Sequence, residues 1–414
     1  MGGYSFTRLS PNCSKMSKLD RFFITKGIGG SLPNLTAIAL KNSISDHRPI
    51  LISQVMVDFG LTSFRFFNSW MDEKDFGDIL ALGWNNGDFN QGNYEALNFK
   101  NKLKHLKSSL KCWWANFKQK RTETKQTLVK TLKDLDTEID QGVANQNDLD
   151  ARSNARANLN ILDAKEMKDL AQRSKIKWSI EGDENSKYFY GILNSEHRYL
   201  AIKGIKWEGE WVTDAQRVKD TFMEHFRNKF SHGETISVCH RNHRFKSVNE
   251  TQSIELTRPL SLVELKIAVW SCGNDKALGP DGFTFSLLKR YWDTFEQDIF
   301  HYVSEFFNTC FIPSGCNSSF ITLIPKVTNL MNVRDYRPIS LIGIQYKIIA
   351  KVMGLRLAKV VDSVVSMEQS SFIKGRQILD GPLMVNEILE LYKKKKKKVM
   401  IFIVDFEKAF DSLS

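Results

Sequence analysis

The chain has 414 residues, of which 42% are hydrophobic and 11% aromatic, so it is long enough for two or three packed domains. Its formal net charge of +12 indicates a polyanionic partner, either nucleic acid or an anionic membrane surface. The sequence shows no Cys-x-x-Cys pair, no signal-peptide pattern and no apolar run of roughly 18 residues, which argues against disulfide frameworks, secretion and membrane insertion. We therefore expect an intracellular protein without a membrane partner.

The first 60 residues predict short strands separated by turns. His47 stands at the start of one predicted strand, and Asp20 on a neighbouring strand is placed to orient it as a general base. A strand-rich segment this short is interpreted as the end of a larger sheet. The predicted strands are Tyr4–Leu9, Leu19–Thr25, Thr36–Leu40 and Pro49–Val57.

Residues from about 95 to 200 predict a basic helical region. Apolar residues recur at three- and four-residue intervals from Leu103 to Phe117 and again from Leu128 to Ile139, with a loop predicted over Gly142–Asp148 before a returning helix. Between Lys100 and Lys133 the only acidic residue is Glu123. Two interpretations stay open: the solvated face of an antiparallel helix pair, and a basic arm lying on phosphates. The Trp113-Trp114 pair is predicted to pack in a core rather than to stack on bases.

Residues from about 250 onward alternate helices, turns and strands. The last strand, Val399–Val404, would place Asp405 at its end, where a carboxylate usually has a metal or another partner. A simple helix cap is the alternative for this residue. The earlier elements are helices over 261–269, 295–308, 347–365 and 384–392, a loop over 274–283, and strands over 320–324 and 339–342.

Several turns in this region combine glycine or proline with a basic residue. Lys326 and Arg337 stand beside predicted strands, where their side chains are suited to bind phosphate. The turn motifs are Lys276–Phe283, Leu323–Lys326, Arg334–Leu341 and Gln369–Arg376.

Two segments near the N-terminus, Lys18–Phe23 and Ser45–Ile50, resemble the C-terminal end of the endonuclease/exonuclease/phosphatase fold found in LINE-type retrotransposons. The resemblance implies that His47 is catalytic, that Asp20 orients it and that Asp46 supports a metal site. The family's upstream Asn, Glu and Asp-x-Asn ligands have no counterpart in this sequence, and phosphodiester cleavage needs the metal as well as the base. We therefore expect an inactive remnant of the endonuclease.

The ordered turn motifs, followed by Phe402–Asp411, resemble the reverse transcriptase domain of plant LINE-type (non-LTR) retrotransposons, and Ile180–Tyr190 resembles the linker of such polyproteins. The resemblance implies an α+β fold in three parts. These are a truncated endonuclease/exonuclease/phosphatase sheet over 1–60, a basic helical linker over 61–250, and the fingers and first palm strand of a reverse transcriptase over 251–414.

The same resemblance implies roles for single residues. Asp405 would be a catalytic metal ligand together with the carbonyl of Phe406, and Phe410 would select deoxynucleotides by blocking a ribose 2′-hydroxyl. Lys326 and Arg337 would hold the incoming triphosphate. Less specific roles in shaping the template path would fall to Gly279, Asp281 and Arg376.

The implied cofactor is Mg²⁺, and the implied partners are an RNA template, a DNA target or primer and deoxynucleoside triphosphates, which favours a nuclear location. Nucleotidyl transfer uses two metal ions roughly 3.5–4 Å apart, and the paired aspartates that would join Asp405 do not occur in this sequence. We therefore expect this chain to lack polymerase activity. A non-catalytic nucleic-acid-binding remnant and a product that folds poorly remain as alternatives.

Overall fold

The computed structural model divides the chain into two compact units, one formed by Met1–Arg227 and Val269–Lys347, the other by Asn228–Ala268 and Ile348–Ser414. The predicted boundaries near residues 60 and 250 remain a prediction. Among the described residues, no helix is long and apolar enough to cross a membrane. The structure describes residues 2–4, 6–10, 14–25, 28, 32, 35–41, 45–54, 63–87, 94–174, 200, 202, 204–231, 246–274, 276–327 and 330–402.

Short strands and longer helices make up the regular structure of these residues. The strands are β1 (Gly2–Gly3), β2 (Arg8–Leu9), β3 (Met16–Ser17), β4 (Leu35–Ala39), β5 (Ile50–Gln54), β6 (Ile205–Trp207), β7 (Glu210–Val212), β8 (Ser319–Pro325) and β9 (Tyr336–Ile342). The helices are α1 (Phe76–Asn85), α2 (Glu95–Asp140), α3 (Gln146–Ser174), α4 (Ala215–Phe230), α5 (Glu250–Thr257), α6 (Leu262–Ser271), α7 (Phe285–Arg290), α8 (Trp292–Thr309), α9 (Ile344–Leu357), α10 (Val361–Val364) and α11 (Asp380–Lys394).

The N-terminal segment contains a small sheet in which β4 pairs antiparallel with β5 and parallel with β1. These strands confirm two of the four predicted ones. The strand predicted over Leu19–Thr25 is wrong, because the Thr7 hydroxyl oxygen accepts the backbone N–H groups of both Leu19 and Asp20 at 3.0 Å. Those donors are therefore not available to a strand ladder, and the Phe23 side chain that follows is 95% exposed.

The basic region forms the predicted antiparallel helix pair, α2 and α3. Arg152 bonds Asp136 near the connecting turn, and Lys125 bonds Asp163 farther along the pair, so the two helices run in opposite directions. Leu132 packs against Leu159 between them.

An aromatic core joins the first part of α2 to neighbouring elements of the same unit. The Trp114 ring stacks on Trp70 with centroids 4.7 Å apart, and the Trp113 ring meets Phe76 edge-on at 5.8 Å. The tryptophan pair, predicted to lie in a core, is half-buried and packs against core rings. On α8, Asp298 accepts the indole N–H of buried Trp84 at 2.8 Å, which fixes α1 against α8.

The later elements follow the prediction with two corrections. The helix predicted over 347–365 is wrong as one element, because a turn after Leu357 separates α9 from α10 and buries Val360. The final predicted strand is absent over the described residues 399–402, where Phe402 is 83% exposed. A strand needs a hydrogen-bonded neighbour, and no described strand pairs with this segment.

In the second unit, Arg356 of α9 is the centre of a buried polar cluster. Its guanidinium donates to both carboxylate oxygens of Glu264 at 2.8 and 2.9 Å and to the carbonyl of Leu256 at 3.0 Å. The Arg356 side chain is 3% exposed and that of Glu264 is 10% exposed. This arginine therefore ties α9 to α6 and to the end of α5.

Candidate functional site

The β8–β9 hairpin presents two of the predicted phosphate ligands. In its antiparallel register Ile324 lies opposite Arg337, and Pro325 lies opposite Tyr336. Because side chains alternate between the two faces of a strand, Tyr336 and Arg337 point to opposite sides. Tyr336 is buried against the Phe222 ring of α4, and burial raises its pKa to about 12.

The open face of the hairpin is basic at one end and apolar along its length. Arg337 is exposed there, and Lys326, two residues after Ile324, is exposed beside it. Neither side chain forms an ion pair with another residue in the part of the chain that the structure describes. Phe320 and Ile339 are 43% and 42% exposed. Cation and apolar surface together suit a ligand that carries both phosphate and a flat base.

The turn of the hairpin is closed by Asp335. Its carboxylate accepts the backbone N–H groups of Met331 and Asn332 at 2.8 and 2.7 Å, and its carbonyl accepts the N–H of Lys326 at 2.8 Å. The backbone around Lys326 is therefore held by hydrogen bonds while its side chain stays exposed.

The glycine-rich loop at 279–282 packs directly against the end of β9. A Cβ atom on Gly279 would lie 2.3 Å from the carbonyl oxygen of Ile342, so only glycine fits this approach. Asp281 accepts the N–H of Ile344 and thereby caps α9. Burial raises the pKa of the Asp281 carboxyl, and the hydrogen bonds from Ile344 and Phe283 oppose that rise. Two motifs that are about 60 residues apart in the sequence are thus joined.

A lysine completes this junction. The Nζ of Lys347, one turn into α9, donates to the carbonyl of Ala277 at 2.7 Å. Burial lowers the pKa of Lys347, while the Asp281 charge opposes that effect. The sequence patterns identified each turn singly and gave no signal for this packing.

In the turn that contains Arg376, the arginine side chain forms its hydrogen bonds with nearby groups of the same chain segment. The guanidinium donates to the carbonyls of Ser366, Gln369 and Val365 and to the carboxylate of Asp362, and the side chain is 8% exposed. Arg376 therefore organises its own loop. Its predicted role near the template path remains a prediction.

The structure brings two of the predicted endonuclease residues together. His47 Nδ1 lies 3.0 and 3.2 Å from the two carboxylate oxygens of Asp20. Hydrogen bonding from Thr7, and then from His47, lowers the pKa of the Asp20 carboxyl. The third residue, Asp46, pairs with Arg8 at 3.0 Å, and this bond lowers the Asp46 pKa.

The described residues do not fit a metal site. They contain no group of three His, Cys, Asp or Glu side chains able to hold an ion. One oxygen of Asp46 is bonded to Arg8 and the other accepts from Ser45 at 3.4 Å. The predicted reverse transcriptase residues Asp405, Phe406 and Phe410 lie outside the described residues, as does the linker-like segment Ile180–Tyr190.

Sequence comparisons place these features in a known context. Residues 324–414 match the family model for reverse transcriptase (RNA-dependent DNA polymerase). A Transposon TX1 uncharacterized 149 kDa protein from Xenopus laevis is 28% identical over 243 residues, which cover 58% of this chain and 18% of that protein. A retrovirus-related Pol polyprotein from type-1 retrotransposable element R2 of Nasonia vitripennis is 24% identical over 179 residues, 42% of this chain and 16% of that protein.

The chain thus spans less than a fifth of the length of the curated relatives it matches. Lys326 and Arg337 both fall inside the matched segment, whereas Asp20 and His47 precede it. Residues 324–414 are thus similar to a reverse transcriptase domain, and the curated relatives of the chain are proteins of transposable elements.

Proposed function

We propose that the β8–β9 hairpin binds the triphosphate of an incoming deoxynucleotide during RNA-templated DNA synthesis. The observation that carries this proposal is the pair of exposed cations, Lys326 and Arg337, on one face of a hairpin whose opposite face is anchored near its turn by buried Tyr336. Phosphate oxygens would accept charge-assisted hydrogen bonds from both side chains. Exposed Phe320 and Ile339 offer apolar contact to the nucleoside.

Nucleotide binding tests this proposal without requiring turnover. Photo-crosslinking of dTTP to the full chain is compared between wild type, Lys326→Ala and Arg337→Ala. We expect each variant to bind roughly tenfold more weakly, because a hydrogen bond to a charged group contributes about 1.5 kcal/mol or more. Lys219→Ala, which changes another exposed lysine, on α4, is the control. Unchanged crosslinking in both hairpin variants would refute the proposal.

The catalytic part of the proposal concerns Asp405, the carbonyl of Phe406, and Phe410. The first two would hold Mg²⁺, which stabilises the charge on the transferring phosphate when bound, and Phe410 would exclude ribonucleotides. The sequence contains no adjacent pair of aspartates. We therefore expect no incorporation of labelled deoxynucleotides by this chain alone in primer extension. Incorporation that disappears in Asp405→Ala would contradict that expectation.

We further propose that residues 1–60 derive from the end of an endonuclease domain and that the parent element is of the plant LINE type. The Asp20–His47 contact and the Ser-Asp-His spelling support this origin. The parental reaction would then begin at nicked chromosomal DNA, with an RNA template, in the nucleus. We expect no nicking of supercoiled plasmid by this chain, and nicking that disappears in His47→Ala would contradict the remnant interpretation.

A second candidate function, non-catalytic nucleic-acid binding, is favoured by one face of α2. Lys104, Lys111 and Lys118 repeat every seven residues, so they lie on one side of the helix about 10.5 Å apart along its axis. All three are exposed, and none forms an ion pair within the described residues. Lys107 lies on the same side, and burial, followed by the charge of Lys111, lowers its pKa.

Salt dependence tests this second function. Neutralising Lys104, Lys111 and Lys118 to glutamine should reduce the slope of log affinity against log salt by roughly two to three for duplex DNA. A matched triple change at Lys395, Lys396 and Lys397 removes the same charge elsewhere. If the slope of log affinity against log salt is the same for the two triple variants, the lysines on this face of α2 have no special role in binding.

A further inference from the structure

Six consecutive lysines, Lys393–Lys398, begin in the last turn of α11 and continue beyond it, in the second unit. All six are exposed. Lys394 lies 4.0 Å from the carboxylate of Glu390, and these two side chains are 80% and 69% exposed, so the pair is weak. The run is therefore a concentrated positive patch that suits a strongly acidic partner.

The helix ends within this run in a turn that is unfavourable for lysine. Lys396 has a φ of +52°, the left-handed conformation that favours glycine. Its N–H donates to the carbonyl of Lys393 at 3.1 Å, and the N–H of Lys397 donates to the carbonyl of Tyr392 at 3.0 Å. Because neighbouring ammonium groups repel each other and α11 has no buried residue, we expect this turn to open readily.

The chain on both sides of the run is also exposed. Leu391, just before it, is 48% exposed, whereas Met400 and Phe402, just after it, are 89% and 83% exposed. A partner could therefore contact the run from more than one side. Six residues in an extended conformation span about 20 Å, at roughly 3.3 Å per residue.

The composition of the run favours a protein groove over a nucleic acid. Sites for single-stranded nucleic acid combine cations with aromatic rings for stacking, and arginine is the preferred residue for nucleic-acid phosphates. The run contains neither. Glu387 and Glu390, both exposed on α11, would also repel a long polyanion that passed along the helix. An acidic groove around one extended segment, by contrast, would meet successive lysines on alternate sides.

We propose that Lys393–Lys398 is a nuclear-import signal that an import receptor binds in extended form through an acidic groove. Basic segments of about five to eight residues are one form of such signals. Each ammonium group would donate charge-assisted hydrogen bonds to carboxylates of the groove. The inference rests on the nuclear location proposed above and is independent of nucleotide binding at the β8–β9 hairpin.

Import into the nuclei of permeabilised cells tests this inference with the full chain, labelled by a fused fluorescent protein. Cytosol and ATP supply the receptors and the energy, and the nuclei are first treated with DNase and RNase to prevent retention on nucleic acid. The triple variant Lys395→Gln, Lys396→Gln and Lys397→Gln should lower the nuclear-to-cytoplasmic ratio roughly tenfold, because several charge-assisted hydrogen bonds are lost.

Two further variants serve as controls. Arginine in place of the same three lysines keeps the positive charge and should keep import. A matched triple change to glutamine removes the same charge from exposed lysines of α2 and should leave the ratio unchanged; these are Lys120, Lys130 and Lys133. Circular dichroism of each variant verifies that the fold is retained.

Each outcome decides the inference. Import lost in the glutamine variant of the run and kept in both controls supports it. Equal import by wild type and that variant overturns it but leaves the nuclear location standing, and an equal loss in the α2 variant overturns it because total charge then governs entry. Accumulation seen only in nuclei without nuclease treatment assigns the run to nucleic-acid binding instead. A wild-type chain that stays outside both kinds of nuclei contradicts the nuclear location as well.

Discussion

The β8–β9 hairpin and the segment from Arg356 to Arg376 use basic residues in opposite ways. In the hairpin, Lys326 and Arg337 are exposed and have no ion-pair partner among the described residues. In the other segment, Arg356 and Arg376 are buried, and carbonyls and carboxylates accept their hydrogen bonds. The chain has a net charge of +12, so a basic residue alone does not indicate a binding site. Basic residues whose hydrogen bonds are accepted within the fold stabilise it, whereas exposed ones without such partners are available to a ligand.

The largest expected effect is on stability. Arg356→Ala would leave the carboxylate of Glu264 poorly accessible to water and without its main partner, which should lower the free energy of unfolding by about 3–5 kcal/mol. Urea unfolding followed by circular dichroism measures the loss. Arg258→Ala removes a more exposed partner of the same carboxylate, 3.3 Å away, and should cost less. Equal losses in the two variants would contradict the central role of Arg356.

Arg376→Ala should have an intermediate effect. Its removal leaves several carbonyls of the turn without a donor, which we expect to lower the free energy of unfolding by about 1–3 kcal/mol. Lys374→Ala, an exposed cation in the same turn, is the control and should change stability by at most about 0.5 kcal/mol. If Lys374→Ala lowers the free energy of unfolding as much as Arg376→Ala does, then charge rather than hydrogen bonding stabilises this turn.

A smaller effect is expected from pH. Hydrogen bonding from Arg356 lowers the pKa of Glu264 below its usual value of 4.5 in the folded state. On acidification the unfolded state therefore binds more protons than the folded state. The stability that Glu264 contributes is fully present above its pKa in the unfolded state and is lost as the pH falls through its pKa in the folded state. Urea titrations across that range should show a reduced acid dependence in Glu264→Gln. An unchanged acid dependence would exclude Glu264 as its source.

The smallest expected effect on stability belongs to the hairpin. Lys326→Ala and Arg337→Ala remove no described ion pair, so the free energy of unfolding should change by at most about 0.5 kcal/mol even though nucleotide binding is weakened. The same urea experiment measures it. A loss of the size expected for Arg376→Ala would place these residues among the structural cations and end the contrast between the two regions.

Periodic elements could be predicted from the sequence, but contacts between distant segments could not. The spacing of Leu103, Leu106 and Leu110 predicts α2, because a helical period needs only local information. By contrast, the strand predicted over Leu19–Thr25 is absent because Thr7, more than ten residues earlier, takes its first N–H groups.

In the candidate sites, too, local features could be predicted from the sequence and contacts between distant segments could not. Exposed Lys326 and Arg337 follow from turn and strand patterns. The close fit of Gly279 under Ile342 and the capping of α9 by Asp281 join segments about 60 residues apart, and no local pattern encodes them. The roles predicted for Asp405, Phe406 and Phe410 stay predictions.

The stacked indoles of Trp70 and Trp114 have an optical consequence. With ring centroids 4.7 Å apart and planes inclined by 27°, their electronic transitions are close enough to couple. Such coupling produces paired bands of opposite sign in the circular dichroism spectrum, which vanish when either ring moves away. Trp114→Leu would remove the contribution of this pair and leave that of Trp113, whose ring centroid lies 5.9 Å from that of Trp70. The protein therefore carries an intrinsic spectroscopic reporter of whether the segment around Trp70 is docked on its longest described helix.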